Sequence, residues 1–537
     1  MNKNIVQRLL AAVVVAGGSA SSVLAGCSDL GAICRESNCL GSTEATGNSP
    51  GQGGAGSAVS SSGAGGQGGA VAESCDPSLA PNPVADSCGI FVSSSLGIDS
   101  SQGKGTKSRP YASIAKALIA LSSVGGDTLY LCGETFTGAI TLPSGVNIYG
   151  ALACAEDWKL KGDTKSTIAA EANVVPLRIA GAESSKLRYL KVSAANATSA
   201  SGNSIAMLVE GATVELDWVE LIAGVAGTGQ AGSSVENAAP DGKFGVDAQA
   251  GCTSIATVPA ATAAFLDCGN DQSTEAGTGG FGAVNSAGVG NSGESTPAVA
   301  NPNGGSGQST NAACTNGKVG FVGAFGIPGD GATGLGALDS QHGFVGVAGG
   351  DGKTKGLPGQ GGGGGGGASG KLTCQNTTYA GPAGASGGTG GCGGAVGNGG
   401  LAGGSSMALV SLGANITLKH VALTAKQGGS GGKGGDGQLG GQGRMGGFGK
   451  IIFNGYACAG GAGGNGGRGG AGGGGIGGHS IGVAYTGSAP MVIEASVTTT
   501  LGAPGFGGVG GFGEGMATMG GQGAVGIAAE THSFDAP

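Results

Sequence analysis

Downstream of Asp127 the apolar residues come in short bursts. Thr128 to Cys132, Ala139 to Leu142 and Val146 to Tyr149 are each bounded by Gly, Pro or Ser. Such runs between turn residues predict short strands with abrupt corners. Just upstream the period changes. Ile114, Leu118 and Leu121 recur at helical spacing, with Pro110 near the start, where a missing N–H costs nothing. This predicts a short amphipathic helix over 110–123. The loop before it carries Asp99 and a Gly105-Thr106 turn. Of two roles for Asp99, calcium ligand or turn cap, the turn cap is preferred, because Asp commonly bonds backbone in turns.

The strand pattern repeats along the chain. Leu187-Arg188-Tyr189-Leu190-Lys191-Val192 aligns with Leu216-Asp217-Trp218-Val219-Glu220-Leu221, Leu418-Lys419-His420-Val421-Ala422-Leu423 and Ile493-Glu494-Ala495-Ser496-Val497-Thr498. Upstream, segments beginning at Ser204, Ser405 and Ser480 also correspond. Self-similarity of this kind marks units that cannot bury their apolar face alone and must stack. The helix followed by short strands resembles the N-terminal cap and first turns of pectin-lyase-like proteins. That resemblance implies an all-β fold, a right-handed parallel β-helix solenoid, whose short N-terminal helix lids the open first turn. If the repeats stack in order, the second column (Arg188, Asp217, Lys419, Glu494) alternates in sign, and Lys191 faces Glu220. Such a ladder would hold strand register, since like charges directly opposite are destabilising.

Between the later repeats the pattern is set by glycine, 126 of 537 residues. Glycine falls at every third place from Gly428 to Gly449 and again from Gly460 to Gly478, and Gly361 to Gly367 is an unbroken run. A period of three fits an extended threefold helix. With only 17 prolines a collagen triple helix does not fit. The preferred reading is polyglycine-II-like strands bundled on one flank, from insertions at about 225–404, 427–479 and 502–523. The other reading is flexible loops. The arrays resemble the Gly-rich repeats of PE-PGRS proteins, without that family's helical N-terminal domain. Gly329-Asp330-Gly331 and Gly350-Asp351-Gly352 do not extend into a calcium-binding nonapeptide repeat.

The head of the chain sets an address. Lys3 and Arg8 precede an apolar run from Leu9 to Ala16, too short to span a bilayer, and Leu24-Ala25-Gly26-Cys27 reads as a lipobox. Residues 1–26 are then a signal peptide, and Cys27 is the lipidation site and membrane anchor. An ordinary secretory signal is the alternative. Ser28 favours the outer membrane or cell surface. Residues 27–85, rich in Ser, Gly and Ala, are read as a flexible tether, and 86–537 as the folded part. Twelve further cysteines in an oxidising compartment are read as disulfides. Nearest neighbours suggest Cys34–Cys39, Cys75–Cys88, Cys132–Cys154 and Cys252–Cys268, and leave Cys314, Cys374, Cys392 and Cys458 open. No CxxC spacing occurs, and His342, His420, His479 and His532 lie apart from any cysteine pair, so neither metal nor cofactor is expected.

The formal net charge of −8, without a basic patch, argues against a nucleic-acid partner. Catalytic candidates are few. Glu215 and Asp217 lie two apart on one predicted strand, a separation near that of glycosidase carboxylates. The polygalacturonase-type motifs are missing, so a solvated strand face is the preferred reading of this pair. The expectation is therefore an envelope-anchored lipoprotein with a structural, adhesive or glycan-binding role. Its partners would be the membrane, extracellular polysaccharide or other cells. A polysaccharide lyase or glycoside hydrolase is the alternative. A crystal-surface binder would need a regular threonine lattice, which the sequence lacks.

Overall fold

Alternating burial generates the strands. In Thr213–Asp217 the residues Val214 and Leu216 are fully buried while Thr213, Glu215 and Asp217 point outward, and Asn415–Lys419 repeats this with Ile416 and Leu418. In the computed structural model, which describes residues 75–79, 83–298, 301–453, 455–493 and 496–535, these strands build an all-β fold dominated by three parallel sheets. The chain divides into two units, Met1–Ala70 and Val71–Pro537. Cys27, the signal segment 1–26 and Cys34–Cys39 lie outside the described residues.

The chain visits the sheets in turn. The first sheet contains Ile90–Val92, Thr128–Cys132, Asn147–Ala153, Ser184–Arg188, Thr213–Asp217, Asn415–Lys419 and Met491–Val492. The second runs from Thr135–Thr137 through Ser166–Ala169, Leu190–Ser193, Glu220–Ile222 and Ala422–Ala425 to Thr498–Leu501. The third runs from Ile140–Pro143 through Leu177–Ala180, Ser204–Glu210, Ser406–Leu412 and Ser480–Thr486 to Ala528–Ser533. All three feed one apolar core, to which Leu187, Leu216 and Leu418, then Val192, Leu221 and Leu423, then Ile179, Val209 and Leu409 contribute. The third sheet is covered on its outer side as well, where Ile205, Leu208, Met407 and Val410 pack on Phe344. Burial on both faces explains why Ser204–Glu210, Ser406–Leu412 and Ser480–Thr486 read as nearly unbroken apolar runs.

The helix spans Ile114–Val124, starting four residues after Pro110. Ser113 caps it, accepting the Lys116 N–H, and Gly125 ends it in the left-handed region. Ile114, Ala117 and Leu121 bury against Ile90, Leu129, Leu142 and the rest of the core at its first turn. Asp99 accepts the N–H groups of Ala112 and Ser113 at 2.8 and 3.1 Å and so sets the helix approach. Part of the stretch read as tether is tied down: Cys75 is bonded to Cys88, and Asp76 receives Arg188 at 2.6 Å.

Register differs in two places from the sequence alignment. Leu187, Leu216 and Leu418 are true partners, but Leu418 then pairs with Val492 rather than Ile493. Ser204 and Ser480 both pair with Ser406 rather than Ser405. A slip of one residue exchanges the faces of a strand. Ser405 and Ser406 are both buried and accept different N–H groups, so the local pattern did not discriminate between them.

Every long insertion leaves a second-sheet strand and returns to a third-sheet strand, at 223–405, 426–479 and 502–527. Inside them the chain forms extended threads whose hydrogen bonds repeat every three residues. Gly361–Gly367 shows the rule. The N–H groups of Gly361, Gly364 and Gly367 donate to the carbonyls of Glu294, Asn291 and Gly288. Those of Gly362 and Gly365 go to Gly388 and Ala385, and those of Gly363 and Gly366 to Lys318 and Thr315. Their carbonyls accept from Gly277 and Gly280, from Gly461 and Cys458, and from Gly305 and Gln308. This run is therefore surrounded by threads on six sides. A Cβ on Gly364 would lie 1.8 Å from the Thr278 carbonyl oxygen, which only glycine avoids.

Three disulfides staple these threads. Cys252 joins Cys374, Cys268 joins Cys392 and Cys314 joins Cys458, so the expected Cys252–Cys268 bond does not form. The partners are 122 to 144 residues apart because neighbouring threads come from distant segments. Cys132–Cys154 and Cys75–Cys88 pair as nearest neighbours.

Where insertions rejoin the third sheet, side chains pin the next turn's backbone. Asn203 Oδ1 accepts the Ser405 N–H, Ser405 Oγ accepts the His479 N–H, and His479 Nδ1 accepts the Ile527 N–H, each near 3 Å. One position on, Ser204, Ser406 and Ser480 accept the N–H groups of Gly224, Lys426 and Gly502, the residues at which the insertions depart. His479 is fully buried, and its Nε2 donates to the Leu335 carbonyl at 2.7 Å. Burial, reinforced by nearby His532, holds its pKa below the ordinary value although the Leu335 bond opposes this.

Two predictions follow from this packing. Gly364→Ala should lower stability by about 1–3 kcal/mol or more in thermal unfolding, whereas Gln442→Ala, on an exposed position, should be nearly silent. His479 binds its proton less readily folded than unfolded, so stability should be full above about pH 6.5 and fall as pH drops below it. His479→Gln should flatten that part of a pH series of unfolding midpoints.

Candidate functional site

Glu215 and Asp217 share the outer face of the first sheet, as their spacing requires. Parallel pairing sets Lys186 and Arg188 beside them on one side and Thr417 and Lys419 on the other. The in-register charges alternate, but the ion pairs run diagonally. Lys419 Nζ lies 3.0 Å from Glu215 Oε1, while Arg188 donates to Asp76 at 2.6 Å and lies 3.7 Å from Glu215 and 3.9 Å from Asp217. His420 Nδ1 sits 3.0 Å from Asp217 Oδ1. Lys191 and Glu220 are also in register, yet Glu220 takes its ion pair from Lys165 at 2.8 Å. Glu494 lies outside the described residues.

The corner after each of these strands is one residue in the left-handed region: Tyr189, Trp218 and His420, with φ of 56°, 58° and 49°. The shared corner stacks their rings. Trp218 and His420 centroids are 4.4 Å apart and nearly parallel, and Tyr189 lies 6.5 Å beyond. The Arg188 guanidinium rests over the Tyr149 ring at 5.7 Å.

This arrangement favours charge over proton transfer. Partial burial pushes the Glu215 carboxyl up, but the hydrogen bond and charge of Lys419, with Lys186 and Arg188 behind, outweigh it and hold the group below the usual carboxylate range. A glycosidase acid needs the opposite shift. Asp76 is likewise lowered, its burial overcome by Ser78 and Arg188. The pair is an ion-pair lattice that locks adjacent turns and the Asp76 segment.

A second region was not anticipated. Along the links between second and third sheets runs a groove of three adjoining depressions, of about 500, 480 and 320 Å³. The first and second share Ala139 and Val174, the second and third share Ser201, Asn203 and His342. Val174, Ile205 and Phe344 supply apolar surface, and Glu171, Gln341 and His342 supply polar groups. Its walls are fixed by hydrogen bonds. Asn173 Oδ1 accepts the Thr198 and Ser199 N–H groups. Arg178 donates to the Ser340 and Gln341 carbonyls, and Asn203 donates to the Phe344 carbonyl at 2.7 Å. His342 turns its Nδ1 to Asp339 at 3.0 Å, and its Nε2 has no hydrogen-bond partner among the described residues. A mixed apolar and hydrogen-bonding trough crossing several turns suits an extended polyhydroxylated chain. The sequence hides it because its walls come from residues about 170 apart, and His342 lies in a Gly-rich link.

Asp330 of the first Gly-Asp-Gly piece pairs with Lys353 at 2.9 Å, and Asp351 of the second accepts the Gly399 N–H. Among the described residues no group of three or more His, Cys, Asp or Glu is placed to hold a metal, and no helix is long and apolar enough to cross a membrane.

No protein-family model, curated protein or solved structure matches this chain.

Proposed function

We propose that this chain is a lipid-anchored envelope protein that serves as a rigid attachment surface for an extended glycan, not as a glycan-cleaving enzyme. In this reading the three parallel sheets are the faces of a right-handed parallel β-helix, the hand that parallel crossovers favour. The helix Ile114–Val124 is its lid, and the insertions form a polyglycine-II slab on one flank. Cys27 carries the lipid, and the protein stands at the outer membrane or cell surface, presenting the slab and groove to polysaccharide or other cells.

The observation that carries the reading is the slab. Its threads are hydrogen-bonded on several sides and stapled by three disulfides, which is costly order for glycine and fits a load-bearing or display role. The Glu215–Asp217 pair supports it from the other side, because its carboxylates are engaged by Lys419, Arg188 and His420.

A soluble chain beginning at Ser28 should be retained on some members of a panel of acidic and neutral polysaccharides without shortening them by size exclusion. Glu171→Ala and His342→Ala should weaken retention, and Glu215→Gln with Asp217→Asn should not. Chain shortening lost in that double variant would make this an enzyme and overturn the reading. For the address, Cys27→Ala should move the protein from the membrane fraction to the soluble one. Persistence in the membrane fraction would remove the lipid anchor from the proposal.

A further inference from the structure

We infer that the groove is closed at one end by the slab and receives the terminus of a neutral glycan rather than the middle of a chain; this rests on the glycan-attachment reading above. The links from the second sheet to the third lengthen turn by turn, from 138–139 to 170–176 to 194–203, and the next is the insertion 223–405 itself. Each is pinned to the one that follows. Asn173 Oδ1 accepts the Thr198 and Ser199 N–H groups, which fixes the second link to the third. Ser201 donates to the Thr228 carbonyl and Gly227 to the Gly202 carbonyl, which fixes the third link to the first thread of the slab. The three depressions lie at the steps between links. Gly138 and Glu171 line the first, Asn173 and Ser199 the second, Ser201 and Leu401 the third.

The two ends of this staircase differ. At the first, Thr135–Thr137 and Ile140–Pro143 are the edge strands of their sheets, and the space that a side chain on Gly138 would take is empty. At the other, Gly346, Leu401 and Ala402 line the third depression, and Ala402 packs with Ile476, Ala332 and Val347 in an apolar cluster. The Gly349 N–H meets the Gly400 carbonyl and the Ile476 N–H meets the Val347 carbonyl, so these threads are joined main chain to main chain. A glycan lying along the groove enters over Gly138 and stops at the threads.

Charge and hydrogen bonding name the occupant. Apart from His342, Glu171 and Arg178 are the ionisable residues that line the three depressions, and both terminal nitrogens of Arg178 donate to the Ser340 and Gln341 carbonyls. A uronic acid polymer brings a carboxylate with every unit and would find no row of cations here. The closed half instead offers hydrogen-bonding atoms. Ser201 Oγ is buried and His342 Nε2 lies beside the groove, each without a hydrogen-bond partner among the described residues, and both residues line the second and third depressions. Ser201 also sits at φ 58°, in the left-handed region where glycine would be relaxed. A serine held at that angle with an unbonded hydroxyl is accounted for by a ligand hydroxyl beside it.

The test uses the chain beginning at Ser28 and a neutral polysaccharide that retains it. Titration calorimetry against equal masses of that polymer, before and after partial depolymerisation, should show sites rising in proportion to chain ends. A linear oligosaccharide of the same sugar and linkage should compete, and its cyclic counterpart, which has no end, should not. Ser201→Gly should weaken binding of the linear oligosaccharide about two- to tenfold, with an unfolding midpoint no lower than that of the unchanged chain. Sites that follow mass rather than ends, equal competition by ring and linear forms, or retention confined to acidic polymers overturns this inference and leaves the attachment reading standing. No retention on any polysaccharide overturns both.

Discussion

The structure depends on main chains approaching one another without side chains between them. In the centre of the slab a thread meets neighbours in every direction, and each contact is a hydrogen bond near 2.9 Å between peptide groups. Any Cβ there would strike a carbonyl oxygen at about 2 Å, as at Gly361 to Gly367. Order is therefore bought with glycine's large conformational entropy, and main-chain hydrogen bonds rather than apolar burial must offset most of it. The disulfides make sense in this light. Each closes a loop of more than a hundred residues, the case in which a crosslink most restricts the unfolded chain.

A slab held by peptide groups still has to be fixed to sheets held by an apolar core, and the junction uses a third chemistry. Asn203, Ser405 and His479 form one column of side-chain acceptors, and Ser204, Ser406 and Ser480 form the next. The first column satisfies backbone N–H groups where the insertions return to the third sheet, and the second satisfies those where the insertions depart. Such groups would otherwise be buried without partners. The opposite corner needs no such device, because one left-handed residue turns the chain. There Tyr189, Trp218 and His420 stack outside the core, next to the ion-pair lattice of Arg188, Glu215, Asp217 and Lys419. Glu215 and Asp217, weighed in the sequence as catalytic candidates but read there as a solvated strand face, sit in the ion-pair lattice, and the groove opens among the insertion links.

Much of this was legible because two periods survive in the sequence. Period two with a charged second column placed Leu187, Leu216 and Leu418 on one inward row, and period three located the threads. The failures share a cause. Ser405 and Ser406 both serve as buried acceptors, so hydroxyl chemistry alone does not fix which one pairs with Ser204. Cys252 and Cys268 are near in sequence but lie on threads whose neighbours are set by bundle packing, which no local pattern encodes. The groove fell outside both periods, since Asn203 and His342 meet only because a long insertion returns beside the third sheet.

The number of glycines per triplet is itself a depth gauge for the slab. Where a thread is enclosed, as at 361–367, all three positions are glycine. Threads with one exposed row, such as 428–449, keep two in most triplets, with Gln438 and Arg444 the exceptions, and place Ser430, Lys433, Asp436, Leu439, Gln442, Met445 and Phe448 in the third. The row Ala462, Asn465, Arg468 and Ala471 on the next thread becomes Gly474 where another thread covers it: the Gly474 N–H reaches the Gly521 carbonyl, and a Cβ there would meet the Gly508 oxygen. The side chain disappears at the residue where the neighbour arrives. By the same rule a thread with one glycine per triplet should lie at a corner with two faces uncovered. The thread 317–328 is of this kind, and its uncovered positions carry valine, phenylalanine and isoleucine rather than the serine, lysine and aspartate found on part of the other outward row.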